Sequence, residues 1–198
     1  MSSYIYLVRH GETDLNNSGV YYGRLDPEIN EKGMRQCESL KSSLKNIDFN
    51  AVVASPLKRA LKSATIISGC EDKDIIVEPQ LREIDFGLWE GLHYKEVMQK
   101  YPEDWANWGQ HWIDYTIPEG ESFRVFYSRV ENCIKNIINN NQENKILVVA
   151  HEGSLKAIAL TLLNMPIEAY WNFTFEFGHF SMFEVKDGFA ILRKINCI

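Results

Sequence analysis

Lys145-Ile146-Leu147-Val148-Val149-Ala150-His151-Glu152-Gly153-Ser154-Leu155 joins two periodicities in one stretch. Residues 145–150 form a short apolar run, the length and make-up of a buried strand. From residue 153 the apolar positions fall at 155, 158, 159 and 162, which is helical spacing and predicts a helix over 153–163. A buried strand that passes straight into a helix is half of a parallel strand–helix unit.

The same unit recurs outward from there. Residues 4–8 read as a buried strand, and 31–44 as a helix with apolar positions 34, 37, 40 and 44. Residues 51–54 give another buried strand. Ser55-Pro56 then reads as an N-cap followed by proline at the first helical position. The helix after it carries Leu57, Ala60, Leu61 and Ala64 on one side and stops at Gly69. Residues 75–77 predict a further short strand, and 122–138 a helix with apolar positions 123, 126, 130, 134 and 137. Phe173, Phe175 and Phe177 alternate, and Asp187-Gly188 is a hairpin turn signal between two final runs. The expected fold is α/β: a mostly parallel sheet covered by helices on both faces, with an antiparallel C-terminal hairpin towards an edge.

Residues 88–121 break the alternation. They hold Trp89, Trp105, Trp108 and Trp112, four of the five tryptophans, with Tyr94, Tyr101 and Tyr115. This segment reads as a helical insertion leaning over the sheet edge. Its 105/108/112 spacing suits a small core of its own, and some of the rings could instead line a pocket.

Length and charge narrow the class. A chain of 198 residues is expected to form a single domain, 1–198, able to bury roughly 70% of its unfolded surface without disulfides or metal. Apolar residues are 45% and charged residues 24%, which is globular usage. Lys+Arg of 21 against Asp+Glu of 27 gives a net charge of −6, which argues against a general nucleic-acid binder. Cys37, Cys70, Cys133 and Cys197 show no pairing pattern. With no signal peptide evident and no long apolar run, a reducing, cytoplasmic setting without membrane contact is expected.

Ligands of open α/β sheets bind beyond the carboxyl ends of the strands. There this sequence places Arg9-His10-Gly11-Glu12-Thr13 after the first strand, Ser55 and Arg59 after the second, and His151-Glu152-Gly153-Ser154 after residue 150. Two arginines and two histidines from three strand ends suit a small phosphate. Arginine is a permanently charged fork matched to phosphate oxygens, and the helix start at Gly153 adds free N–H groups. Neither G-x-x-x-x-G-K-[ST] nor G-x-G-x-x-G occurs, and the H-E-x-x-H zinc pattern fails because residue 155 is leucine. A histidine among arginines suggests covalent phosphoryl transfer, with a carboxylic acid to protonate the leaving alcohol. Glu12, Asp14, Glu83 and Asp85 are the candidates for that acid. His93, His111 and His179 read as structural or solvated, and Asp26, Glu28 and Glu31 as loop and helix-start charges.

Taken in order, Leu7-Val8-Arg9-His10-Gly11-Glu12-Thr13, Asn16, Gly23, Ser55-Pro56-Leu57-Lys58-Arg59-Ala60, Leu81-Arg82-Glu83-Ile84-Asp85-Phe86-Gly87, Trp89-Glu90-Gly91 and Ala150-His151-Glu152-Gly153 resemble the histidine phosphatase (phosphoglycerate mutase-like) superfamily. The likeness runs nearly end to end. It implies a three-layer α/β/α sandwich with a helical insertion, and a phosphomonoesterase working through a phosphohistidine, with no cofactor or metal. By the same resemblance His10 is the nucleophile, His151 stabilises the transferring group, Arg9 and Arg59 bind phosphate, and Glu83 is the acid. Asn16, Tyr22, Gly23, Glu152 and Gly153 complete the expected phosphate- and substrate-binding set.

Many members carry Ser-His-Gly-Gly where this chain has Ala150-His151-Glu152-Gly153, and Glu152 is expected to point away and offer only its amide. The length suits the phosphatase branch over the mutases. Tyr22-Gly23-Arg24-Leu25-Asp26, residues 85–91 and Ile117-Pro118-Glu119-Gly120-Glu121-Ser122 resemble the α-ribazole phosphatases of cobalamin assembly, with a broad-specificity phosphatase or a mutase as alternatives. The implied partner is a small phosphorylated metabolite, with a homodimer possible. Trp105, Trp108 or Trp112 is expected to contact the substrate's base.

Overall fold

The computed structural model describes residues 2–142 and 144–198. One mixed sheet takes strands from both halves of the chain. In chain order they are β1 (Ser3–Arg9), β2 (Ala51–Ala54), β3 (Ile76–Val77), β4 (Lys145–Ala150), β5 (Phe180–Lys186) and β6 (Phe189–Cys197), in spatial order β3-β2-β4-β1-β5-β6. The β3/β2, β2/β4 and β4/β1 pairs are parallel, whereas β1/β5 and β5/β6 are antiparallel. This is the expected mostly parallel sheet with its hairpin at one edge. Asp187 and Gly188 both have positive φ, the geometry a two-residue Asp-Gly hairpin requires.

Period-2 alternation sends each central strand's side chains to two cores. Ile5, Leu7, Val53, Ile146 and Val148 face α5 (Phe123–Asn140) and α6 (Glu152–Leu162), packing with Phe126, Val130, Ile134, Leu155 and Ile158. Tyr6, Val8, Val52, Ala54, Leu147 and Val149 face α1 (Glu31–Leu44) and α2 (Lys58–Ser68), packing with Cys37, Leu40, Leu44, Ala64 and Ile67. Two buried faces explain why these strands read as unbroken apolar runs.

The helix ends differ from expectation in one informative place. Ser55 does not cap α2, which begins at Lys58 with no side-chain cap from its own flank. The Lys58 N–H instead donates to Asp26 Oδ1 from a distant loop, at 2.7 Å. Gly69, at φ +73°, ends the helix in a left-handed cap, as expected. The buried stripes also rotate. Met34 is exposed while Gly33 joins Cys37, Leu40 and Leu44, and α2 buries Arg59 and Ser63 beside Ala60 and Ala64. The Phe173–Phe177 alternation does not form a strand, apart from one bridge between Phe177 and Arg9.

Within residues 88–121 lie α3 (Tyr94–Lys100) and α4 (Pro102–His111). Their core is Trp89, Val97 and Ile117, fully buried, with Tyr21, Tyr101, Trp105 and Trp108 packed around it. Trp112 leaves that cluster and stacks on Phe123, Tyr170 and Trp171.

Candidate active site

Strand register assembles the site. Arg9 pairs with Ala150 across β1/β4, and the His10 N–H donates to the Ala150 carbonyl at 3.0 Å, so His10 and His151 leave adjacent strands at one level. Ser55 leaves β2 at the same level, its N–H donating to the Val149 carbonyl. Beyond these ends lies a cavity of about 290 Å³ lined by Arg9, His10, Asn16, Tyr22, Arg59, Glu83, His151, Glu152 and Gly153, together with residues the sequence did not single out.

His10 is 3% exposed, and its Nδ1 lies 2.8 Å from the Gly11 carbonyl oxygen. A carbonyl only accepts, so Nδ1 carries the proton and Nε2 keeps its lone pair. His151 is 1% exposed, and its ring centroid is 5.2 Å from that of His10. Arg59 Nε donates to its Nδ1 at 3.2 Å, which leaves Nε2–H to donate to Ser55 Oγ at 2.8 Å. Burial first, then the Arg59 charge, holds both imidazoles well below their usual pKa, so both are neutral at neutral pH.

Arg59 is itself 1% exposed, with Nη1 donating to the Leu25 carbonyl at 2.7 Å and Nη2 to the Gly23 carbonyl at 2.9 Å. Gly23 therefore stands behind the arginine and does not line the cavity. Its loop is pinned by Glu90, whose carboxylate accepts from the N–H groups of Gly23, Arg24, Leu25 and Phe86. Arg9 lies 3.7 Å over the Phe177 ring, and its Nη1 donates to the Phe175 carbonyl. Its Nε is buried with no hydrogen-bond partner among the described residues, a donor that an anion would satisfy. Asn16 accepts from the Thr13 N–H at 2.7 Å and donates to the Tyr22 hydroxyl.

Of the four candidate acids, only Glu83 lines the cavity. Glu12 pairs with Lys32, Asp14 accepts from Asn30, and Asp85 pairs with Arg24. Glu83 accepts from the N–H groups of Ile84 at 3.0 Å and Gly153 at 2.9 Å. The protein mass around it nevertheless raises its carboxyl pKa above the ordinary value, against the pull of those N–H groups. Gly153 is needed for this approach, because a Cβ there would lie 2.2 Å from Glu83 Oε1.

The family model for the histidine phosphatase superfamily (branch 1) matches residues 5–198. The chain belongs to that superfamily. Among relatives of this histidine phosphatase, the adenosylcobalamin/α-ribazole phosphatase of Escherichia coli K12 is 34% identical over 97% of this chain and 95% of its own length. Phosphoserine phosphatase 1 of Hydrogenobacter thermophilus is 30% identical over 96% and 90%. The crystal structure of the α-ribazole phosphatase from Shigella flexneri superposes with a TM-score of 0.90 at 33% identity, covering 98% of this chain and 96% of that one.

Two expectations for this histidine phosphatase are corrected by the geometry. Glu152 does not point away: its carboxylate lies 2.7 Å from Arg9 Nη1 and 2.9 Å from Lys156 Nζ, in the cavity wall. None of Trp105, Trp108 and Trp112 lines the cavity; the tryptophan that does is Trp171, the one outside the insertion. The first two are consumed by the insertion's own core, and Trp112 backs Trp171 from behind. Sequence reasoning places Ser55 at the second strand end but gives it only a cap's role, and it misses Lys156, which sits four residues after Glu152 on the same helical face. That i,i+4 spacing was a usable signal. Trp171 and Tyr170 lie in a short 3-10 turn with no periodicity to mark them.

Proposed function

We propose that this chain is a single-domain phosphomonoesterase that works through a phosphohistidine on His10, with α-ribazole 5′-phosphate as its substrate. The observation that carries the mechanism is the His10 Nδ1 contact with the Gly11 carbonyl, which aims the Nε2 lone pair into a cavity walled by Arg9, Arg59 and Glu83. In the first step Nε2 attacks phosphorus, the bond to the ester oxygen breaks, and Glu83 gives its proton to the leaving alcohol. In the second, Glu83 takes a proton from water, which attacks phosphorus and breaks the N–P bond to release inorganic phosphate. Arg9 and Arg59 balance the charge on the transferring oxygens. His151, between Arg59 and Ser55, holds that guanidinium in place.

The substrate reading rests on the α-ribazole phosphatases among the relatives and on the cavity lining, where Tyr21, Phe86, Tyr170 and Trp171 offer ring surface to a planar base. Acid quench during turnover of radiolabelled substrate should trap an acid-labile phosphoprotein, and H10A should lack both it and turnover. A panel of phosphomonoesters decides the substrate. The highest kcat/KM for phosphoserine, the substrate named in another relative, would replace α-ribazole phosphate. Transfer dependent on a bisphosphoglycerate primer would indicate a mutase. A homodimer through the exposed outer edge of β6, where Phe189, Ile191 and Ile195 are uncovered, is tested by light scattering.

A further inference from the structure

The wall of the cavity carries a charge arrangement that phosphoryl transfer does not require. Glu152 bridges two cations at once, Oε2 to Arg9 Nη1 at 2.7 Å and Oε1 to Lys156 Nζ at 2.9 Å. Lys156 has only 11% of its side chain exposed and sits 5.3 Å from the Tyr170 ring centroid and 5.7 Å from that of Trp171. The bridge is therefore packed against Tyr170 and Trp171, which line the same cavity. A glutamate in the first turn of a helix could be there for the helix dipole alone. Its two ion pairs inside the cavity wall give it a second consequence.

The lining has three cations, Arg9, Arg59 and Lys156, and one carboxylate engaged in ion pairs, Glu152. Both histidines are neutral, and Glu83 enters the reaction as its acid. Two positive charges remain to face a phosphate monoester, which carries about two negative ones near neutral pH. The balance is met by the phosphate itself. An additional carboxylate on the leaving alcohol would find Lys156 already paired and Glu152 close by.

We infer that Glu152 is a specificity-determining residue, occupying Arg9 and Lys156 so that the site takes phosphomonoesters of alcohols without a negative charge and rejects those bearing a carboxylate. This rests on the phosphomonoesterase reading of the same cavity. Discrimination of this kind works by placing an unfavourable charge against the wrong ligand, not by adding contacts to the right one.

Glycerol 3-phosphate and 3-phosphoglycerate form a matched pair of probes, differing by a hydroxymethyl against a carboxylate group. The protein should favour glycerol 3-phosphate. In Glu152→Gln the ratio of kcat/KM for 3-phosphoglycerate over glycerol 3-phosphate should rise by about tenfold or more, since the like charge set against the substrate carboxylate is gone. The rise should shrink with added salt. Lys156→Gln, which leaves Glu152 less neutralised, should move the ratio the other way. If Glu152 only braces Arg9, the two esters lose activity in parallel, and an unchanged ratio in both variants overturns the inference. Failure of the unaltered protein to hydrolyse either ester, or any other phosphomonoester, overturns the reading beneath it as well, a result distinct from active enzyme with an unchanged ratio.

Discussion

His10 and Glu83 have to be in opposite protonation states for the first step, the imidazole neutral and the carboxyl protonated. Burial moves both towards their uncharged forms, lowering His10 and raising Glu83. Activity should therefore fall on the acid side as His10 takes up a proton, and on the alkaline side as Glu83 loses one. Glu83→Gln should remove the alkaline limb of the kcat profile. It should also cost about 10²–10⁴-fold on an alkyl phosphate, with a smaller loss on p-nitrophenyl phosphate, whose leaving group needs no proton. Comparing the two substrates across pH checks this. At this scale the sequence displayed the residue types but not their directions. Glu83 and Asp85 are two residues apart and chemically similar, and only the fold turns one to the cavity and the other to Arg24. Ser55 precedes a proline and looks like a cap, yet its hydroxyl serves His151 because α2 starts three residues later.

Among the elements, the loop behind Arg59 and the start of α6 carry the geometry. Glu90 gathers four backbone N–H groups that no helix or strand satisfies. Glu90→Ala should cost about 2–3 kcal/mol in urea denaturation, because hydrogen bonds to a charged acceptor are lost. It should also raise KM, since Gly23 and Leu25 supply the carbonyls that hold Arg59. Gly153→Ala should leave α6 helical by circular dichroism while reducing kcat by up to about 10²-fold, the scale of a misplacement near 1 Å, because its Cβ would displace Glu83. The elements themselves were legible wherever one periodicity ran unopposed, as in α5 with Phe126, Val130, Ile134 and Ile137 all buried. Legibility failed where tertiary contacts replaced local ones. The Asp26 cap on Lys58 comes from 32 residues away, and the aromatic run at 173–177 is used to cover Arg9 and fill the core, not to pair as a strand.

Over the whole molecule, the cost of burying two imidazoles appears as acid sensitivity. Their folded pKa values lie below the ordinary 6.5, so the unfolded chain binds more protons in acid than the folded one does. Stability should fall as pH drops through about 6.5, and replacing His10 and His151 with asparagine should flatten that fall in thermal denaturation scans. Described residues include no helix long and apolar enough to cross a membrane. The three-layer arrangement was legible because the central strands are apolar on both faces, while the side to which the insertion's rings commit was not, since helical spacing suits a private core and a pocket wall equally. The position of β1 between β4 and β5 has a further outcome for biosynthesis. A nascent polypeptide exposes its nucleophile-bearing strand long before residues 145–150 and 180–186, and that strand gains its two flanking strands only as those segments leave the ribosome. Phosphoryl capture is thereby postponed until β4 has emerged, and a ribosome-stalled chain ending before residue 145 should be inert towards any ester.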